Sequence, residues 1–318
     1  MQSAAEQPVV WCLLDSRPGH RNQVLGLTDA IQRRMPVTVH QIDIRGAMKG
    51  VLLGFASRRS LPQQRPHIII SAGHRTHIPL LQLGFRFGAK TVVLMKPSVP
   101  LRLFDLCIIP DVYQFSGTPR NLLLTKGVVN RIQPATTANA RQGVVLVGGP
   151  SAHHEWSDEA VLRQLAEVIR ASPDVHWQLA TSRRTPNSFI ESFQSLRPGL
   201  TAEIVTPDQV SPDWLPRQLN QCGRVWVTED SVSMMYEAVT SGAATGILQL
   251  PCTRRNRAVQ CIELLVDAGD VTLWNDWRQT KQLPKPSCRL AEADRCAAEM
   301  LNCGLLPVST PQTAGSAA

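Results

Sequence analysis

The densest run of chemically useful side chains spans residues 228–238, Thr-Glu-Asp-Ser-Val-Ser-Met-Met-Tyr-Glu-Ala. The residues just before it (224–227) are mostly apolar, β-branched or aromatic, and read as a short buried strand. Thr228 to Ser231 then supplies turn chemistry, with Asp230 or Ser231 as the N-cap of a helix. The first N–H groups of such a helix lack intrahelical acceptors and sit at the positive end of its dipole. A phosphate suits that position. Asp230, Ser233 and Glu237 recur at i, i+3 and i+7, on one helical face. Glu237, two turns in, could accept hydrogen bonds from a pair of hydroxyls such as those of a ribose. A well-capped helix with a surface glutamate meets the same pattern without a ligand.

Four other stretches carry similar chemistry. Asp15-Ser-Arg-Pro-Gly-His-Arg-Asn-Gln23 crowds Asp15, Arg17, His20 and Gln23 into what would otherwise be a turn. Gly73-His-Arg-Thr-His77 again places Gly, His and Arg after an apolar run. In Gly148-Gly-Pro-Ser151, Gly148 and Gly149 would let a backbone approach a phosphate closely, and Ser151 offers a hydroxyl. The spacing matches neither Gly-x-Gly-x-x-Gly nor a Walker loop, so neither a dinucleotide fold nor an ATPase is supported. Thr181-Ser-Arg-Arg-Thr-Pro186 brings Arg183, Arg184 and three hydroxyls together, enough to hold a phosphate or a base. No metal site emerges. The eight cysteines are scattered without a Cys-x-x-Cys, and His67, His74 and His77 have no further ligand in view. Reduced, structural cysteines are expected.

Positioning these stretches takes strands and helices in alternation. Strands are expected at 9–14, 37–44, 67–72, 91–95, 104–109, 122–125, 143–147, 175–180, 203–205, 224–227 and 243–250. Helices are expected at 24–34, 78–87, 158–171, 186–196, 258–268 and 292–303, with one after Ser231. Residues 133–142 are small and polar, the composition of a linker. The expected fold class is α/β, with two Rossmann-like domains whose parallel sheets face each other across a cleft. The expected divisions are 1–135, 143–290, a C-terminal helix over 291–303, and a disordered tail over 304–318.

The 318 residues carry a net charge of +8, unevenly placed. Residues 1–140 hold 17 Lys and Arg against 6 Asp and Glu, net +11; the rest of the chain is net −3. A basic half of this kind faces phosphates, nucleic acid or an anionic membrane, or simply keeps the protein soluble. Residues 45–59 are both basic and apolar, either an amphipathic helix on a membrane surface or an ordinary core helix. No apolar run has the length of a membrane span, and residues 1–14 lack the layout of a signal peptide. A cytoplasmic location is expected, with peripheral contact at the inner membrane. Nucleic acid is not an expected partner, because no helix-turn-helix or aromatic stacking pattern accompanies the charge.

Taken together, Asp15-x-Arg-Pro-Gly-His-x-x-Gln23, Ser71-Ala-Gly-His-x-Thr76, Lys96-Pro97, Phe104-Asp-Leu, Val147-Gly-Gly-Pro-Ser151, Thr181-Ser-Arg-Arg-Thr-Pro186 and Thr228-Glu-Asp-Ser-Val-Ser-Met-x-x-Glu-Ala238 resemble the bacterial relatives of the plant elongated-mitochondria fission factor. That family in turn resembles the GT-B glycosyltransferases. The likeness implies two Rossmann-like domains, with a nucleotide-sugar donor held by the C-terminal one. It places Gly148, Gly149 and Ser151 near the donor diphosphate. Thr228, Asp230, Ser231 and Ser233 would lie around the phosphate end of the helix, and Glu237 at the ribose. It implies a lipid-linked or phosphorylated acceptor on the basic half, and catalysis without a metal or other cofactor; no Asp-x-Asp occurs in the chain. The acceptor side departs from the family pattern at Pro110-Asp-Val-Tyr113, which lacks the family's His, and again over residues 125–131.

Two functions follow from the resemblance. One is an inverting glycosyltransferase whose base is His20, Asp15 or His74, in that order of preference. The helix start near Ser231, with Arg183 or Arg254, would steady the departing diphosphate. The other is a non-catalytic adaptor that keeps the transferase fold and binds a protein partner at a membrane.

Overall fold

A computed structural model describes residues 7–44, 61–115, 117, 119–135, 137–196, 202–252 and 257–307. The expected basic segment at 45–59 and most of the basic loop at 253–257, including Arg254, lie outside these residues. So does the tail from 308 onward. The chain forms two compact units, residues 1–131 with 292–318 and residues 132–291.

Unit 1 is built on six parallel strands: β1 (Val9–Leu14), β2 (Thr38–Asp43), β3 (Ile68–Ala72), β4 (Lys90–Leu94), β5 (Leu106–Pro110) and β6 (Leu122–Thr125). Their spatial order is β2-β1-β3-β4-β5-β6. Helices α1 (Pro18–Arg34) and α2 (His77–Phe87) follow β1 and β3. β1 is apolar at every position because both of its faces are covered. Val10, Cys12 and Leu14 pack with Val24, Leu27 and Ile31 of α1, while Val9, Trp11 and Leu13 pack with Leu80 and Leu83 of α2. The chain order reverses between β1 and β3, so the loops after these two strands diverge and leave room at the carboxyl edge.

Unit 2 repeats the plan with β7 (Asn139–Val147), β8 (His176–Thr181), β9 (Ala202–Val205), β10 (Cys222–Thr228), β11 (Ala244–Leu248) and β12 (Thr272–Leu273), again all parallel. The order β12-β11-β10-β7-β8-β9 puts the reversal between β7 and β10. Its helices are α3 (Asp158–Arg170), α4 (Asn187–Leu196), α5 (Trp214–Leu219), α6 (Val232–Ser241), α7 (Arg257–Asp267) and α8 (Trp274–Thr280). Trp226 of β10 meets Trp277 of α8 edge to face, ring centres 5.3 Å apart, within the core that also holds Trp177 and Phe189. A last helix, α9 (Glu292–Asn302), packs its Cys296, Ala297 and Met300 into the core of unit 1.

The elements depart from expectation in three places. α1 starts at Pro18 rather than 24, so His20 and Gln23 are helical; Pro18, with its fixed φ and no N–H, occupies the first turn. β7 starts at Asn139 rather than 143. Its first four residues are exposed, yet they pair with β10 and β8, which polar side chains do not prevent. α5 and α8 are short and rich in Trp, Leu and Arg, and no 3.6-residue pattern of useful length announces them.

Candidate functional site

In unit 1 the loops at the β1/β3 reversal bring Asp15, His20 and Gly73 together. Asp15 ends β1, is 5% exposed, and accepts the Arg17 N–H on one carboxylate oxygen at 2.9 Å. Its other oxygen lies 2.7 Å from Nδ1 of His20, one turn into α1. A carboxylate only accepts, so Nδ1 carries a proton and the Nε2 lone pair is left as a base. Gly73 makes this packing possible. At φ +91° it adopts a conformation that side chains rarely allow, and a Cβ there would stand 2.3 Å from His20 Nδ1. His74 is exposed on the short turn His74–Thr76.

Sequence reasoning noted His77 among histidines that form no metal site but did not name it as a candidate site residue. It is buried at the start of α2, with Nδ1 3.1 Å from Ser98 Oγ and its ring edge-on to Phe104. Burial, aided by repulsion from His74 and His20, lowers its pKa from the ordinary histidine value. Lys96, exposed after β4, has its ammonium 5.8 Å from the Tyr113 ring centre and 5.2 Å from that of Phe115.

In unit 2 the β7/β10 reversal gathers Gly148, Gly149, Thr228 and Asp230. The Gly148 N–H donates to Thr228 Oγ1 at 2.7 Å, and the Gly149 N–H to Asp230 Oδ2 at 3.2 Å. The same oxygen takes an ion pair from Arg184 Nη2 at 2.6 Å. Arg184 also donates to the carbonyls of Gly149 and Pro150. Ser182 and Thr185 hydroxyls donate to the Gly148 carbonyl. Both glycines are required here by protein rather than ligand: a Cβ on Gly148 would strike the Asp230 carboxylate, and one on Gly149 the Arg184 backbone. Both adjacent arginines are exposed, and it is Arg184 that holds the loop through these bonds.

The Asp230 side chain has no exposed surface, and its Oδ1 has no hydrogen-bond partner. Ser231 is the N-cap of α6 by position, but its side chain makes no capping bond. Ser231 and Ser233 are half-buried. Glu237 is buried, 6% exposed, rather than a surface glutamate. Asp230 precedes the helix rather than sharing a helical face with Ser233 and Glu237. The Ser151 hydroxyl accepts the N–H groups of His153 and His154 and so shapes its own turn. Glu229, beside Asp230, has its pKa raised chiefly by burial, and the Leu250 N–H donates to it at 2.9 Å. His154 is buried, and neither ring nitrogen has a hydrogen-bond partner among the described residues.

Among the described residues no cluster of three His, Cys, Asp or Glu could hold a metal ion, and no helix is long and apolar enough to cross a membrane. Cys12, Cys107, Cys222 and Cys296 are free and buried, and burial pushes their thiols up to about 12. They are packing groups, not nucleophiles.

Two parallel six-stranded sheets, each with its polar residues at the reversal of strand order, define a GT-B-like fold. The fold is shared with a putative UDP-N-acetylglucosamine 2-epimerase from Listeria monocytogenes, at a TM-score of 0.61 and 11% identity over 93% of this chain and 96% of that one. The UDP-GlcNAc 2-epimerase of Neisseria meningitidis bound to UDP-GlcNAc matches at 0.52 and 11%, over 93% and 100%. MurG of Acinetobacter baumannii matches at 0.50 and 11%, over 93% and 98%. Within that fold, the chain belongs to the mitochondrial fission ELM1 family, which it matches over residues 18–303. No curated protein matches it in sequence.

Proposed function

We propose that the protein is an inverting glycosyltransferase that moves a sugar from a nucleotide-sugar to a lipid-linked or phosphorylated acceptor at the cytoplasmic face of a membrane. The observation that carries this reading is the 2.7 Å contact between Asp15 and His20 Nδ1. Asp15 fixes the imidazole and stabilises its cation as Nε2 removes the acceptor hydroxyl proton. The acceptor oxygen attacks the anomeric carbon. The bond from that carbon to the diphosphate breaks, and its electron pair leaves with the nucleoside diphosphate.

Donor binding falls to unit 2. The first N–H groups of α6 have no intrahelical acceptor and no side-chain cap, so they are donors for a diphosphate. Arg184 neutralises Asp230 and so removes a carboxylate charge that would repel it. Arg183, exposed on the same turn, is the free cation for the leaving group, and Glu237 is the ribose acceptor. Support for a nucleotide-sugar comes from the fold likeness to proteins solved with UDP-GlcNAc. The same likeness includes epimerases, so product analysis belongs in the test.

Thermal shift of the pure protein against UDP, GDP, ADP, CMP and their sugars is the test. One nucleotide should stabilise saturably, and Glu237→Ala should abolish that shift. His20→Ala and Asp15→Asn should keep nucleotide binding but slow transfer by ~10²–10⁴-fold. Family membership favours a second reading, a non-catalytic adaptor at a membrane. Absence of any nucleotide shift would select it.

A further inference from the structure

α2 is apolar on two sides. Pro79, Leu80, Leu83 and Gly84 are buried against sheet 1, as a helix on a sheet requires. The opposite stripe should be polar, yet it carries Ile78 (45% exposed) and Phe85 (94% exposed). Leu103, from the short turn Leu101–Leu103, is 48% exposed. Phe85, Leu103 and the partly buried Leu81 line one open groove. An exposed Phe projecting among aliphatic side chains is a cost in water that no contact within the described residues offsets.

Charge identifies what covers it. From Leu61 to Phe104 the chain has six Lys and Arg and no Asp or Glu. Arg86 and Arg102 are neighbours in sequence of Phe85 and Leu103, and both are exposed. The one acid in the groove, Asp105, is neutralised by Lys90 at 2.9 Å. A protruding aromatic with aliphatic neighbours and a cationic border is the composition of a surface that sits in a lipid interface.

We infer that this face of unit 1 docks on an anionic bilayer, with Phe85, Leu103 and Ile78 entering the headgroup–acyl boundary while Arg86 and Arg102 meet lipid phosphates. Phe85 is eight residues along α2 from His77, about 12 Å at 1.5 Å per residue. Phe85 thus lies toward the amino edge of the sheet, beside the starts of β4 and β5, and the bilayer runs along the outer face of α2 rather than against the loops that carry His20. The inference stands apart from the transfer reading above, and its test contains no nucleotide, so either can fail alone.

The full chain is floated with phosphatidylcholine vesicles, with and without phosphatidylglycerol. Wild type should rise with the anionic vesicles and stay behind with the neutral ones. Phe85→Ser should weaken partitioning roughly tenfold. The double variant Arg86→Ala with Arg102→Ala should weaken it to a similar extent, and added salt should weaken the wild type. All variants should melt with wild type, because the altered side chains are exposed. Failure of wild type to bind anionic vesicles would overturn the proposal, as would Phe85→Ser binding normally. Self-association lost in Phe85→Ser, without vesicle binding, would assign the face to a second copy and overturn it equally.

Discussion

Glu229 shows how a single half-buried carboxylate shapes this protein's response to pH. Burial raises its pKa, with Asp230 adding to the effect; the Leu250 N–H and His154 oppose it without prevailing. The folded state thus holds the Glu229 proton more tightly than the unfolded chain does. Stability is then greatest below the ordinary glutamate value and falls as pH climbs from there through the raised value. Glu229→Gln keeps an oxygen for the Leu250 N–H and removes the charge. Its Tm at neutral pH should exceed wild type by roughly 1–3 °C, and Tm against pH should flatten above the glutamate range. Melting curves across pH measure this; an unaltered profile would mean that the carboxylate is not a cost. At this scale residue type alone singled out Asp15, His20 and Asp230, and the structure puts Asp15 against His20 and Asp230 against Arg184. The sequence could not choose Arg184 over Arg183, since both sit in a turn with no periodicity to say which holds the loop. Nor could it show His77 as buried, since a histidine at a helix start reads equally well as exposed.

Elements in this chain are held in place by what their ends carry. The loop after β7 has two glycines, and a Gly-Gly turn in a sequence announces freedom or a phosphate. Here the space is taken by the Asp230 carboxylate and the Arg184 backbone. That exchange was not legible, because the partners lie about 35 and 80 residues away. Gly149→Ala puts a methyl 2.1 Å from the Arg184 carbonyl oxygen, and backbone cannot swing aside as a side-chain tip can. The expected loss is about 1–3 kcal/mol of stability, with the loops after β7 and β8 pushed apart. Chemical denaturation of Gly149→Ala against wild type gives the number. A neutral result would show that the two loops already separate easily. Apolar strands such as β1 and β6 were read to the residue. Helix starts masked by polar first turns, as at Pro18, were read late, because the periodic signal begins only once the apolar stripe does.

The path of the whole chain couples its end to its beginning. It leaves unit 1 at Arg131, builds unit 2, and returns at Glu292. Nothing in the composition of residues 292–302 says which core they serve; their amphipathic pattern fits any sheet with an open face. The return is fixed on both sides of α9. Met300, Cys296 and Ala297 are fully buried in the core with Leu27 and Ile31. At the polar margin Arg33 pairs with Asp294 at 3.0 Å, and Glu292 accepts the Lys126 N–H. Met300→Ala should therefore cost about 2–5 kcal/mol, the range for emptying a packed apolar site. The cost should fall on unit 1. In hydrogen exchange, amides of β1, α1 and β3 should lose protection while those of β7, β8 and β10 keep theirs. Equal loss in both units would show that the two open together, and no loss would show that α9 is an accessory to a core already closed. The first pattern means that the last helix completes the fold around Asp15 and His20, so that a chain cut before Glu292 would lose the contact between them without touching either residue.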